Sequence, residues 1–441
     1  MIIILKMKNL NRTCFLLILT AWALISHAQT ASTKDRKINL NKDGSQYVKV
    51  TMLNQVWLRQ QSLNEGSTIF GFPEKNHSDI GIRRFRVQAY SQLSDNVFIY
   101  TQWGENNFNN ISDRKLGFFV HDAIGEYAVD KKKLSVGAGL TAWSGLSRFA
   151  APAVGAILGV DAPLFQQSTN DVTDQFLRKL SMYAKGKIGK IDYRLSISDP
   201  MAIQKSNYNT SIGKYASFSQ KPARKQWNTY IQYQLKEEES NLVPYMPSTY
   251  LGKKNILTLG IGGIYQPKAM WRLADNNKDT IESNMLQLAA DVFMEKPIGK
   301  KGAAFNAYAC FTHFDFGSNY IRNAAVMNPA NGTNNTNILN GSGNGFPMYG
   351  TGNVWYLQAG YKLKDNFIGH TTLMPYLAIQ HANYERLNKA MNFIDIGCNW
   401  FLNGQNFKLT AAYQNRPIYD AGGKLTDHKG AALLQMQVFF N

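Results

Sequence analysis

The sequence predicts an all-β fold, a transmembrane antiparallel β-barrel of sixteen strands with short periplasmic turns and long external loops. Three observations predict it. Sixteen short segments alternate apolar and polar residues, and the chain closes on one of them, with Ala432, Leu434, Met436, Val438 and Phe440 on one face. An export-type leader opens the chain. No later stretch approaches the ~18 consecutive apolar residues that a membrane helix needs. A barrel pairs its whole backbone internally and keeps its lumen-facing half polar, so it crosses lipid without such a stretch.

The elements follow in chain order. Lys6, Lys8 and Arg12 precede an apolar core from Cys14 to Ile25, and Ser26-His27-Ala28 offers a small-residue cleavage site. Residues 1–28 therefore read as a secretory signal peptide cleaved near Ala28. Cys14 stands at the front of the apolar core rather than after it, which argues against a lipoprotein anchor. Residues 29–45 are polar and read as a periplasmic N-terminal tail, and residues 46–441 as the barrel.

Strands are predicted near 46–60, 80–92, 95–103, 118–129, 133–142, 179–187, 190–198 and 225–236, then 254–265, 284–294, 301–315, 353–364, 370–382, 389–402, 405–415 and 429–440. An even count places both termini on the periplasmic side. Short connections such as Ser94-Asp95 and Asn403-Gly404 alternate with long ones at 61–79, 104–117, 143–178, 199–224, 266–283, 316–352 and 416–428. Two connections break the rhythm. The 237–253 stretch, with its acidic run Glu237-Glu238-Glu239, is long where a turn is expected, and 383–388 is short where a loop is expected. The 143–178 loop carries apolar stretches that an exposed loop would not favour. It reads as a constriction loop folded into the lumen, with a cap over the external mouth as its alternative.

Period-two alternation assigns the faces. Val48, Val50, Met52, Val56 and Leu58 share the lipid side of the first strand, and Phe85, Val87 and Ala89 that of the second. The same parity points Arg59, Arg84, Arg86, Lys185, Lys187, Arg194, Lys362, Lys408 and Arg416 inward, as a basic path for anions. Positive side chains in a narrow tube lower the barrier for anions and raise it for cations. Trp57, Trp103, Trp143, Trp227, Trp355 and Tyr413 fall near strand ends and read as interfacial girdles.

The charge balance agrees, with 48 Lys and Arg against 30 Asp and Glu. Export makes nucleic acid an improbable partner for this basic chain; anionic solutes and lipid fit it better. Catalysis finds no support in the motifs. There is no G-x-S-x-G elbow and no H-E-x-x-H helix, and the seven histidines are scattered. Asp275-Asn276-Asn277-Lys278-Asp279 opens like a calcium loop but has Thr280 and Leu286 where glycine and glutamate are needed, so it reads as a solvated loop. No catalytic residue, metal site or cofactor is expected, and the chain does not read as an enzyme. Gly137-Ala138-Gly139 and Gly260-Ile261-Gly262-Gly263 read as room for close packing. Cys310 and Cys398 remain after cleavage and fall in strands; one disulfide between them stays open at this point.

Four stretches carry a family resemblance: Ile82-Arg83-Arg84-Phe85-Arg86-Val87 with Leu93-Ser94-Asp95-Asn96-Val97; Asp122-Ala123-Ile124-Gly125-Glu126-Tyr127 with Leu134-Ser135-Val136-Gly137; Asn403-Gly404-Gln405-Asn406-Phe407-Lys408-Leu409; and the closing Gln435-Met436-Gln437-Val438-Phe439-Phe440. These resemble hairpins of phosphate-selective porin O and P type proteins in their Bacteroidetes branch. The resemblance implies a sixteen-stranded outer-membrane porin, a homotrimer, with a constriction loop and a basic ladder that attracts small anionic solutes. The chain departs from that pattern at Leu140-Thr141-Ala142-Trp143. Its 143–178 loop sets Arg148 and Arg178 against Asp161, Asp171 and Asp174. The function expected is passive diffusion of small, preferentially anionic solutes, phosphate among them, across the cell outer membrane. The alternative is a plugged structural or adaptor barrel whose external loops bind another envelope protein.

Overall fold

A computed structural model of the chain describes residues 37–112, 117–143, 145–203 and 212–440. The signal peptide expected over 1–28 lies outside the described residues. Among the described residues, sixteen strands pair each with the next in antiparallel register and close into a barrel. They are β1 Tyr47–Ser62, β2 Asn76–Gln92, β3 Val97–Phe108, β4 Phe119–Asp130, β5 Leu134–Thr141, β6 Lys179–Ile188, β7 Ile191–Asp199 and β8 Gln226–Gln234. The second half adds β9 Ile256–Leu273, β10 Thr280–Ile298, β11 Ala303–Asp315, β12 Gly352–Lys362, β13 Thr372–Tyr384, β14 Met391–Asn403, β15 Phe407–Tyr419 and β16 Leu425–Phe440. The seam joins β1 to β16, with Met52 opposite Phe440 and Gln61 opposite Ala431. Closure leaves no unpaired edge, which is what lets a sheet stand in lipid.

The alternation sorts the side chains as the sequence implies. Val50, Met52, Leu58, Ile394, Ile396, Leu434, Met436 and Val438 are exposed on the outer wall, whereas Thr51, Gln55, Arg59, Asn399, Gln435 and Gln437 are buried inside. A belt of bare aliphatic side chains around a barrel is stable only against hydrocarbon, because in water it would be an aggregating surface. The girdle expectation needs a correction. Trp227 and Trp355 do point outward and are each 57% exposed, but Trp57 and Trp143 lie inside, 3% and 4% exposed. Trp57 has inward parity and donates its indole N–H to Gln435 at 2.8 Å. Trp143 has left the wall at the end of β5 and packs on Tyr183.

Strand ends also run further than expected at two external loops, and β15 and β16 shorten the predicted 416–428 loop to 420–424. The predicted 266–283 loop is largely strand: β9 and β10 run on as a hairpin past a bulge between Gln266 and Met270, turning over 274–279. Part of the polar stretch before the barrel is also ordered, with Lys37–Asn39 pairing back on Tyr47–Lys49. Cys310 and Cys398 are both free.

Candidate functional site

Among the described residues, two internal segments of chain occupy part of the interior. The segment 142–178 is bonded to inward side chains from walls on opposite sides of the barrel. Its carbonyls at Val154, Gly155, Ile157 and Leu158 accept from Gln55, Gln437, Lys408 and Asn399 at 2.7–3.0 Å. On the other side, Ser168 donates to Gln287 and Gln166 to Tyr308. Glycine makes part of this approach fit. Gly262 faces inward on β9, where a Cβ would stand 2.2 Å from the Leu146 carbonyl oxygen, and on Gly260 one would stand 2.2 Å from Asp291. The glycine pair read as packing room therefore makes room for the internal segment and for the Tyr230–Asp291 hydrogen bond.

A second internal segment comes from the short-turn end. The 235–255 connection folds back beneath the first: Met246 N donates to Ala151 O at 2.9 Å and Ala153 N to Met246 O at 2.8 Å. Arg148 clasps Glu239 in a two-pronged pair at 2.9 and 2.6 Å, and both side chains are almost fully buried. Burial raises a carboxyl, but Arg148 overrides it, and with Tyr250 and Thr258 holds Glu239 below the usual carboxylate range.

Where 142–178 meets β2 the barrel concentrates arginine. Gln55 pairs with Arg84 and Val56 with Ile82, so Arg83 is an extra residue in β2. Opposite it, Asn107 takes φ 58° and accepts from Arg83 at 2.9 Å. A bulge of this kind turns two consecutive side chains to one side. Arg83 and Arg84 both face inward and both grip Asp161 of the internal segment, Arg83 at 3.0 and 2.7 Å. Burial opposes ionisation of Asp161, but the two guanidiniums hold it below the usual range. Arg86, one step on, donates to the carbonyls of Phe85 and Glu105 and to the Asn106 side chain, all neutral acceptors. Arg178 donates to Asp122 at 3.2 Å, Gln102 at 2.7 Å and the Tyr245 hydroxyl at 2.8 Å.

These groups border a central cavity of about 210 Å³. Five arginines line it, Arg83, Arg84, Arg86, Arg178 and Arg322, with Asp171 as the lining acid and Asp161 and Asp122 paired behind them. The local balance is positive. Burial and the neighbouring Asp174 push the Asp171 carboxyl up to about 6.

The nine sequence-predicted cations all point inward, as parity requires, but they do not form one path. Arg84 and Arg86 reach the central cavity. Lys185 and Lys187 border a wider vestibule of about 610 Å³ at the short-turn end. Both also donate to the 235–255 connection, Lys185 at Asn241 O and Leu242 O and Lys187 at Glu239 O, and the other five hold chain as well. Arg59 is paired with Asp79 and donates to Val326 O and Met327 O; Arg416 donates to Ser62 O, Asn64 and Gly343 O. Arg194 binds Asp192 and Pro244 O, Lys362 binds Asp365 and Gly302 O, and Lys408 binds Ile157 O. Sequence parity missed Arg83 and Arg178. The signal for Arg83 was present: an arginine on the lipid face at the bilayer midplane costs about 2–4 kcal/mol, so an Arg-Arg pair in mid-strand calls for a bulge.

No family model and no curated protein matches the chain. Among solved structures it is similar to the OmpF porin of Salmonella typhi, at 9% identity and TM-score 0.49 over 91% of this chain and 99% of that one. It is similar also to OmpT of Vibrio cholerae, at 9% identity and TM-score 0.48 over 91% and 100%, and to the outer-membrane channel DcaP of Acinetobacter baumannii, at 12% identity and TM-score 0.48 over 90% and 99%. The barrel assignment stands on the strand pairing itself.

Proposed function

We propose that the protein is an outer-membrane channel for passive diffusion of small, preferentially anionic solutes, phosphate among them. The observation that carries this reading is the arginine surplus at the central cavity. Arg86 meets neutral oxygens only, while Arg83 and Arg84 share one carboxylate, so cationic donors outnumber the acids that could neutralise them. Arginine presents a planar donor fork that suits carboxylate and phosphate oxygens. In this reading residues 1–28 are removed near Ala28 on export, and 143–178 is the constriction loop. Arg84, Arg86 and Lys187 act on the solute, whereas Arg59, Lys185, Arg194, Lys362, Lys408 and Arg416 hold the walls and inner segments in place. The homotrimer implied by the family resemblance belongs to the same reading and is checked by the mass of the detergent complex.

The test is single-channel conductance in a planar bilayer under a salt gradient, with phosphate added. Steady conductance with an anion-selective reversal potential, reduced by phosphate, is the expected result. Conductance that favours cations would overturn the anion reading, and silence from folded, heat-modifiable protein would overturn the channel.

A further inference from the structure

The 235–255 connection breaks the rule that barrels turn tightly at the periplasmic end. It forms a strap whose outer part reaches the lysine-lined vestibule and whose tip reaches the arginine-lined cavity. Leu242 borders the vestibule, and Val243 and Tyr245 border the cavity. The two cavities share no lining residue. Between them Phe98 and Tyr100 of β3 and Ile124 of β4 form an apolar cluster against which Leu242, Val243 and Tyr245 pack. The Tyr90, Tyr100 and Tyr245 rings follow one another at centroid distances of 4.9 and 6.2 Å.

Resting on the channel reading above, we propose that this strap forms a second, apolar constriction, an exit neck that sets the size limit for solutes leaving the arginine cavity toward the periplasm. The strap is built as a fixed wall. Lys185 donates to its carbonyls at Asn241 and Leu242 at 2.7 and 2.8 Å, and Arg194 to that at Pro244 at 3.0 Å. At its tip the Tyr245 hydroxyl donates to Asp122 at 2.6 Å while accepting from Arg178. Buried cations that read as solute contacts in the sequence are thereby spent on carbonyls that hold the neck. An apolar contact in series with a charged cavity separates two selections: the arginines choose by sign, and the neck chooses by size and by the cost of shedding water.

The experiment measures single-channel conductance and relative permeability of chloride, phosphate and gluconate for the full chain. It compares the wild type with two variants, Leu242→Ala/Val243→Ala, which widens the neck, and Leu242→Trp, which narrows it. Both leave Tyr245 and its bonds in place, and heat-modifiability confirms folding. The widened neck is expected to raise conductance and gluconate permeability by about twofold or more, and the narrowed neck to lower both, with the sign of selectivity unchanged. A conducting wild type whose values neither variant moves overturns the neck and leaves the channel standing. A silent wild type overturns the channel, and the neck that rests on it, whatever the variants do.

Discussion

At the residue scale, the central chemistry is a contest between arginines and too few acids. Reversing Arg84 and Arg86 together to Glu is expected to cut the anion-to-cation permeability ratio roughly several-fold, because charges lining a narrow pore set its ion preference. Unchanged reversal potentials would sink the assignment. Asp171 adds a pH dependence. Its carboxyl, pushed up to about 6, carries its charge at a cost that is fully present above that value and is relieved as pH falls. Protonation removes a negative charge from the cavity lining, so anion preference should rise between pH 7.5 and pH 5, read again as a shift in reversal potential. Asp161, held low by Arg83 and Arg84, keeps its ion pair across that window and loses it only as the medium falls through its depressed value. The buried Arg148–Glu239 pair gives a third expectation. Removing one partner strands a buried charge at a cost of about 3–5 kcal/mol, so Glu239→Ala should lower thermal stability by a clear margin. An unchanged melting transition in detergent would contradict it.

At the element scale, the strands were legible and the course of the 235–255 strap was not. Each strand writes its lipid face in period two, so all sixteen could be placed from residues such as Val50, Met52 and Leu58 without any partner known. The bulge at Arg83 escaped because parity counting assumes an unbroken period. The 235–255 strap escaped because an irregular segment carries no period; its length and acidic run marked it as anomalous, and only packing reveals that Glu239 belongs to Arg148. The basic-path residues were legible as inward but not as partnered, since hydrogen bonds to distant carbonyls leave no trace in local sequence. Gly262 offers a test at this scale. A side chain there meets the Leu146 carbonyl at 2.2 Å and the Thr229 carbonyl of β8 at 2.8 Å, so Gly262→Val should loosen the 142–178 segment most, where the clash is closest, with the strand ladder largely kept. The expected readout is faster proteolysis within 145–175 with an unchanged circular dichroism spectrum; equal protection would show that the segment tolerates the intrusion.

For the whole molecule, a charged cavity in series with the proposed apolar neck predicts a salt dependence of its own. Charge at the arginine cavity acts over a Debye length of roughly 30 Å at 0.01 M salt and about 3 Å at 1 M. Anion preference should therefore fall steeply over that range, while the size limit, set by packed side chains, should not move. Measuring both across a salt series separates the electrostatic part of the lumen from the steric part.

The seam carries a consequence for how the barrel is made. Gln55 of β1 donates to Val154 O and to Gln437, and Gln437 of β16 donates to Gly155 O, so the first and last strands each clasp one of two adjacent residues of the inner segment. These bonds tie closure of the seam to the seating of the inner segment, because the last strand meets its neighbour and the segment's carbonyl at the same place. Removing both amides, as Gln55→Leu with Gln437→Leu, should slow the final gel-shift step of refolding into lipid vesicles far more than it lowers the stability of the finished barrel. Equal refolding rates would show that the ends of the chain find each other unaided.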